Sequence, residues 1–408
     1  MKKENIFITI SFIFIISLIL FYGTRLVYFY KLTHTSEKLG ETYFNTIIKN
    51  KSYDKSIISD GKNLYYSGNV LNNYLYYSNR YFRIVGLEND NIILVDDSIS
   101  TILPFNDINS WLNESIYYNS LYKPSELLTT TKTCTDEECN NYTESSVGII
   151  SLKQYKRANN NGNYLNNNSF YWLSDGTFIN DKANILDNDE GLYGVRITIT
   201  LKSDVLYYGG TGTYYDPYFI DLEDAYEFTN TKAETIKVGS YITYSDKTWR
   251  VIEISDNIKL ALNDTIGNFA FSNLSNEFNL DDKSSIAYYL NNTFLNSLNK
   301  DLLVKGTLHT GSFTNSYLDK YKNTQEEYVG LMEIGDLFMY DVDNYFTLTN
   351  TGLRNTIYKV MSGKFYADSY KSENKIRPVI FLPKDINITS GYGTIDSPFE
   401  VGELWKKD

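Results

Sequence analysis

The chain has 408 residues, room for two domains with full cores, since single cores seldom grow beyond about 250–300 residues. Its 42% apolar content excludes a mainly disordered chain, and its 38 Tyr favour β-structure with flat, polar contact surfaces. A net charge of −12 excludes a nucleic-acid partner, because polyphosphate binding depends on Lys and Arg displacing counterions.

Residues 6–22, IFITISFIFIISLILFY, are an uncharged apolar run whose helix would be ~25 Å long. Continued through GTRLVYFYK it reaches the ~30 Å of a hydrocarbon core, with Arg25 snorkelling and Tyr28, Phe29 and Tyr30 as an aromatic belt. No small-x-small cleavage site follows the run, and no Cys there accepts a lipid. The expectation is a transmembrane signal anchor over residues 1–31. Residues 6–30 then have the lipid bilayer as partner, and the bulk of this single-pass cell-membrane protein is extracytoplasmic. Residues 32–61 read as a partly helical stalk.

Beyond the stalk, YFRIVGLENDNIILV and TWRVIEISDNIKLAL each read as a hairpin, two β-rich runs around an Asn/Asp-rich turn. Cys134 and Cys139 are the only cysteines and lie in a polar loop without a nearby His. Zinc wants more ligands than that, so the pair reads as one short-loop disulfide, with two free thiols as the alternative. VGIISLKQYKRAN reads as a short buried strand leading through Ser151, a candidate N-cap, into about two turns of helix. LDNDEG, with Asp187, Asp189 and Glu190 before Gly191, resembles part of a calcium loop but lacks the distant Glu, so it reads as a solvated acidic turn. In 284–302, Ile286, Leu290, Phe294, Leu298 and Leu302 recur at i+4 behind Ser284 or Ser285, predicting an amphipathic helix.

These landmarks come twice. VRITITLKSDVLYYGGTGTYYDPYFI (195–220) lies without a gap on IRPVIFLPKDINITSGYGTIDSPFEV (376–401), pairing Arg196 with Arg377 and Gly210 and Gly212 with Gly391 and Gly393. Residues 73–85 match 240–252, placing Phe82 on Trp249 and Arg83 on Arg250, and three further segments match in the same order. The chain therefore reads as a duplication too long in period for a solenoid. Its expected divisions are a first repeat domain at 62–222, a linker at 223–231, a second repeat domain at 232–403 and a tail at 404–408. Each copy is expected to carry its own core. Gly-x-Gly-Thr is followed by Pro and β-formers rather than a helix, so it reads as a turn into a closing strand and not as a phosphate cradle. Strands and helices mix without βαβ alternation, which predicts an α+β fold.

The aromatic-Arg-hydrophobic strand (Trp249-Arg250-Val251), the Leu290-Asn291 helix, Val329-Gly330, Ile376-Arg377-Pro378-Val379 and Gly391–Phe399 together resemble a known kind of protein. They are similar to the tandem extracytoplasmic domains of unknown function in surface proteins of low-GC Gram-positive bacteria. That resemblance implies a C-type-lectin-like fold, shared distantly with formylglycine-generating enzymes, and no curated activity. The copper-binding cysteine pair of those enzymes has no match here.

Catalytic groups are few. His34 falls in the stalk and His309 in an ordinary polar loop. No nucleophile elbow accompanies His309. No catalytic residue, metal or cofactor is expected. The mid-strand arginines Arg196 and Arg377, with Trp249 and Arg250, are the candidate ligand-binding residues, against a structural role as buried, paired arginines and a core aromatic. The expected function is a membrane-anchored surface module with a binding or structural role, a cell-envelope glycan or protein being its candidate ligand. A carboxylate-dependent extracytoplasmic hydrolase or modifying enzyme and a pilin-like assembly subunit are the alternatives.

Overall fold

The computed structural model describes residues 15–17, 40–221, 224 and 235–402. Each half builds one mainly antiparallel core sheet from the runs read as strands. In the first half these are β1 (Tyr74–Tyr77), β2 (Arg80–Glu88), β3 (Asn91–Asp96), β4 (Gly148–Ile149), β5 (Ile197–Leu201) and β6 (Tyr218–Phe219). In the second they are β7 (Tyr241–Tyr244), β8 (Lys247–Ile254), β9 (Asn257–Leu262), β10 (Val329–Leu331), β11 (Pro378–Pro383) and β12 (Phe399–Gly402). The order β4-β5-β3-β2-β1-β6 in one half is the order β10-β11-β9-β8-β7-β12 in the other, and in both the last strand runs parallel to the first.

Turn chemistry sets the register. Ser78–Asn79, Asn89–Asp90 and Ser245–Asp246 have positive φ at both central positions, the geometry of two-residue hairpin turns whose twist matches the strands they join. The Gly-x-Gly segments then aim the closing strands. The Gly212 carbonyl accepts from the Tyr74 amide and the Gly393 carbonyl from the Tyr241 amide, each at 2.7 Å. The phrase thus ties the end of each half to its first core strand.

The α+β expectation is corrected: among the described residues strand makes up 38% and helix 15%, and the longest α-helices hold six residues. The predicted helix at 284–302 shows why. Successive i+4 positions on an α-helix advance about 40° per step, so a stripe at that spacing winds off the buried face. The chain instead makes one α turn at Ile286–Tyr289, widens to a π turn at Leu290–Phe294, tightens to a 3-10 turn at Leu295–Ser297 and leaves helix at Leu298. The wider turn keeps Ile286, Leu290 and Phe294 buried together. Ser285 caps it, its hydroxyl accepting from the Ala287 amide.

The membrane anchor is corrected as well. Residues 1–14 and 18–39, which hold nearly all of the expected span and the first part of the stalk, lie outside the described residues. Among the described residues no helix is long and apolar enough to cross a membrane. A crossing needs about 20 helical residues, and six span only ~9 Å. The single-pass, membrane-anchored localisation therefore has no support. The rest of the expected stalk packs into the first half: Phe44 and Ile48 of a short helix at Phe44–Lys49 are buried, and the Phe44 amide donates to the Val205 carbonyl.

A third sheet joins the halves. It runs from Ile185–Leu186 through Phe178–Ile179, Tyr171–Trp172 and Leu192–Val195 into Lys364–Ser369, Thr356–Met361, Tyr345–Asn350, Glu373–Ile376 and Ile266–Ala270. The crossing is the single register pair Tyr193↔Lys364. Beside it, the Trp111 indole N–H donates to the Gly335 carbonyl at 2.9 Å and the Phe338 amide to the Ser100 carbonyl at 3.1 Å. The buried apolar residues of both halves accordingly form one continuous cluster rather than two closed interiors.

Candidate functional site

The two Gly-x-Gly-Thr loops, about 180 residues apart in sequence, open onto the same cleft between the halves. It has a volume of ≈ 580 Å³ and takes Tyr214 and Tyr215 from the first loop and Thr394, Ile395 and Asp396 from the second. The β1–β2 hairpin supplies Tyr76, Asn79, Arg80 and Tyr81, and β7 and β8 supply Tyr241 and Arg250. Asp97, Ser98 and Asp341 complete the polar lining.

Tyrosines form one wall. Tyr81 and Tyr214 stack with ring centroids 4.7 Å apart and 13° between planes, Tyr76 meets Tyr81 edge-on at 5.3 Å, and Tyr74 meets Tyr214 edge-on at 5.5 Å. Tyr215 stands at 88° to Tyr214 with centroids 5.3 Å apart. Tyr214 is 47% and Tyr215 88% exposed, so this corner presents open ring surface to the cleft. Burial raises the Tyr81 and Tyr241 phenols above the ordinary tyrosine range.

Ion pairs form the base. Arg250 pairs with Asp341, donates to the Asn79 carbonyl at 3.3 Å and lies 3.7 Å over the Phe338 ring. Arg83, at the matching position of the first half, lies 3.8 Å from Asp97, 3.8 Å over the Tyr74 ring and 2.8 Å from the Asn73 amide oxygen. In the second half Arg250, Asp341 and Tyr241 all line the cleft, whereas in the first Asp97 lines it and its partners Arg83 and Tyr74 stand outside the lining. The paired charges hold the wall rather than offering a free acid or base.

Of the four candidate ligand-binding residues, Arg250 alone lines the cleft. Arg196 is buried, donating from Nε to the Asp96 carbonyl at 3.0 Å, from Nη2 to Asp97 at 3.3 Å and from Nη1 to Leu165. Arg377 is buried, donating to the Leu262 and Phe338 carbonyls at 2.8 and 2.9 Å. Trp249 is buried with its indole N–H on the Tyr244 carbonyl. The two arginines tie loops to the core sheets, and Trp249 braces its own β7–β8 hairpin. Cys134 and Cys139 sit at disulfide distance, with Cα atoms 4.8 Å apart, at the end of a small hairpin away from the cleft. In the acidic turn, the Asp189 carboxylate accepts from the Gly191 amide and the Tyr193 hydroxyl, both at 2.7 Å. Among the described residues no group of three His, Cys, Asp or Glu is arranged to hold a metal.

Two features escaped the sequence reading. The tyrosine corner was hidden because Tyr81 and Tyr214 are 133 positions apart, although the density of Tyr in 74–81 and 214–215 was a signal. The other is a buried charge cluster in the second half. Glu333 takes His309 Nδ1 at 2.8 Å and faces Lys259 and Lys320 at 3.6 and 3.5 Å, while Lys259 also pairs with Asp336 at 2.8 Å. Burial alone would raise the Glu333 pKa, but the two ammonium groups overcome it and hold the carboxyl well below its ordinary range. Lys259 in the apolar strand NIKLAL was the clue: an apolar run of this kind is buried on both faces, so a lysine within it lies in the interior even on the face opposite Ile258 and Leu260.

No protein-family model, curated protein or solved structure matches this chain. The functional reading rests on the cleft itself.

Proposed function

We propose that the protein is a two-part, non-catalytic binding module whose ligand seats in the cleft between the halves. One observation carries this reading: both copies of a repeated turn, each needed to close its own sheet, also turn their tips onto one shared cavity. A turn that served closure alone has no reason to bring Tyr214 and Tyr215 from one copy and Thr394 and Asp396 from the other to a single place. The volume falls within the ~300–1,000 Å³ of small-molecule sites, and rigid tyrosines give contact area at low entropic cost. Arg250 and Asp341, engaged with each other, position the floor.

The test is a binding screen on the full chain against soluble glycans and short peptides, followed by hydrogen-exchange footprinting of each hit. Protection at 76–81, 214–215 and 394–396 is the expected result. A ligand whose footprint lies wholly elsewhere refutes the cleft as the seat.

A further inference from the structure

Resting on the cleft reading, we infer that its ligand is a neutral saccharide of a few rings, stacked in the Tyr214–Tyr215 corner. The lining carries charge of both signs, Arg80 and Arg250 against Asp97, Asp341 and Asp396. Arg250 is already neutralised by Asp341, and Asp97 faces Arg83. That leaves Arg80 and Asp396, one charge of each sign, so neither an anionic nor a cationic ligand meets a net complementary field. A polyol suits a mixed lining, because every hydroxyl both donates and accepts.

The aromatic geometry points the same way. The C–H face of a pyranose is apolar and slightly positive, and aromatic faces carry negative charge density. Tyr214 gives one face to Tyr81 and keeps surface open, while Tyr215 stands across it at 88°. Two open rings at a right angle hold a sugar ring against one and its neighbour across a glycosidic bend against the other. A flat heteroaromatic ligand finds no open pair of parallel faces to sandwich it, because the one parallel pair in the corner, Tyr81 with Tyr214, is already closed on itself. No covalent step is involved.

The experiment titrates the full chain with maltotriose, cellotriose and tri-N-acetylchitotriose, and with trilysine as the cationic probe, by calorimetry and ligand-observed saturation-transfer NMR. Wild type is compared with Tyr215→Ala and Tyr214→Ala, exposed positions whose loss leaves the core intact, with circular dichroism as the check on folding. At least one trisaccharide is expected to bind with a Kd at or below about 1 mM, weakened about tenfold or more by each variant. Tyrosine-dependent binding of trilysine without any trisaccharide overturns the saccharide inference and leaves the cleft reading standing. No binding by any probe, or binding indifferent to both tyrosines, overturns the inference outright; in the second case the cleft reading falls with it only where the hydrogen-exchange footprint lies wholly outside 76–81, 214–215 and 394–396.

Discussion

The Tyr317 amide donates to Oδ2 of Asp107 at 2.6 Å, across 210 positions of sequence, while the Ser316 hydroxyl donates to Oδ1 at 2.8 Å. One carboxylate of the first half thus caps the 3-10 turn Tyr317–Lys322 of the second. The indole of Trp111, one turn further along, reaches Gly335 in the same region. Joining the halves through buried, directional bonds makes their relative position a property of the fold, and a cleft between them needs that.

Asp107→Ala is expected to lower unfolding free energy by about 1–3 kcal/mol, since it leaves a buried amide and a hydroxyl without their acceptor. Asp107→Asn keeps one acceptor oxygen and should cost less. Urea melts followed by tyrosine fluorescence measure both. A loss for Ala no greater than for Asp181→Asn, an exposed control, would show that the cap does not secure the junction.

Glu333→Gln is expected to cost about 3–5 kcal/mol, because it leaves the buried ammonium groups of Lys259 and Lys320 short of a counter-charge. It should also change the pH response. The folded Glu333 pKa lies below the unfolded value of about 4.3, so its stabilisation is complete above that value and fades as pH falls toward the depressed one. The acid limb of the wild-type stability curve, below about pH 5, should therefore be steeper than that of the variant. Parallel limbs would show that the carboxyl titrates normally.

Gly391→Ala combines two penalties. Its φ of 90° strains a side-chain-bearing residue, and the new Cβ would run into the backbone of Pro398. Gly61, at φ 91° with open space around it, carries the strain alone. The expected loss is about 1–2 kcal/mol for Gly61→Ala and clearly more for Gly391→Ala. Thermal melts that rank the two the other way would mean that the repeated turn is looser than its geometry states.

Arg377→Met is expected to cost about 3 kcal/mol or more, stranding the Leu262 and Phe338 carbonyls that the guanidinium now satisfies. Arg377→Lys should recover only part of this, because a single ammonium cannot reproduce the planar fork. Any cleft ligand should bind the folded Lys variant nearly as wild type. A large loss of affinity without loss of stability would move Arg377 from framework to binding.

Local chemistry was legible in the residues. The Asn/Asp turns predicted two hairpins, and Ser151 predicted a cap that is present with its reciprocal Gln154 bond. The spacing of Cys134 and Cys139 predicted a pair at disulfide distance. Each depends on neighbours within a few positions, whose backbone preferences act before any tertiary contact forms. What the tertiary structure decided lies beyond that range. Packing replaced a drifting i+4 stripe with a π turn, and Tyr193 joined Lys364 to run one sheet through both halves. The same long-range packing brought Tyr81, Tyr214 and Asp396 to one cavity. Residues a hundred or more positions apart meet only when burial of a shared core outweighs the entropy of closing the chain between them, and no local pattern records that balance.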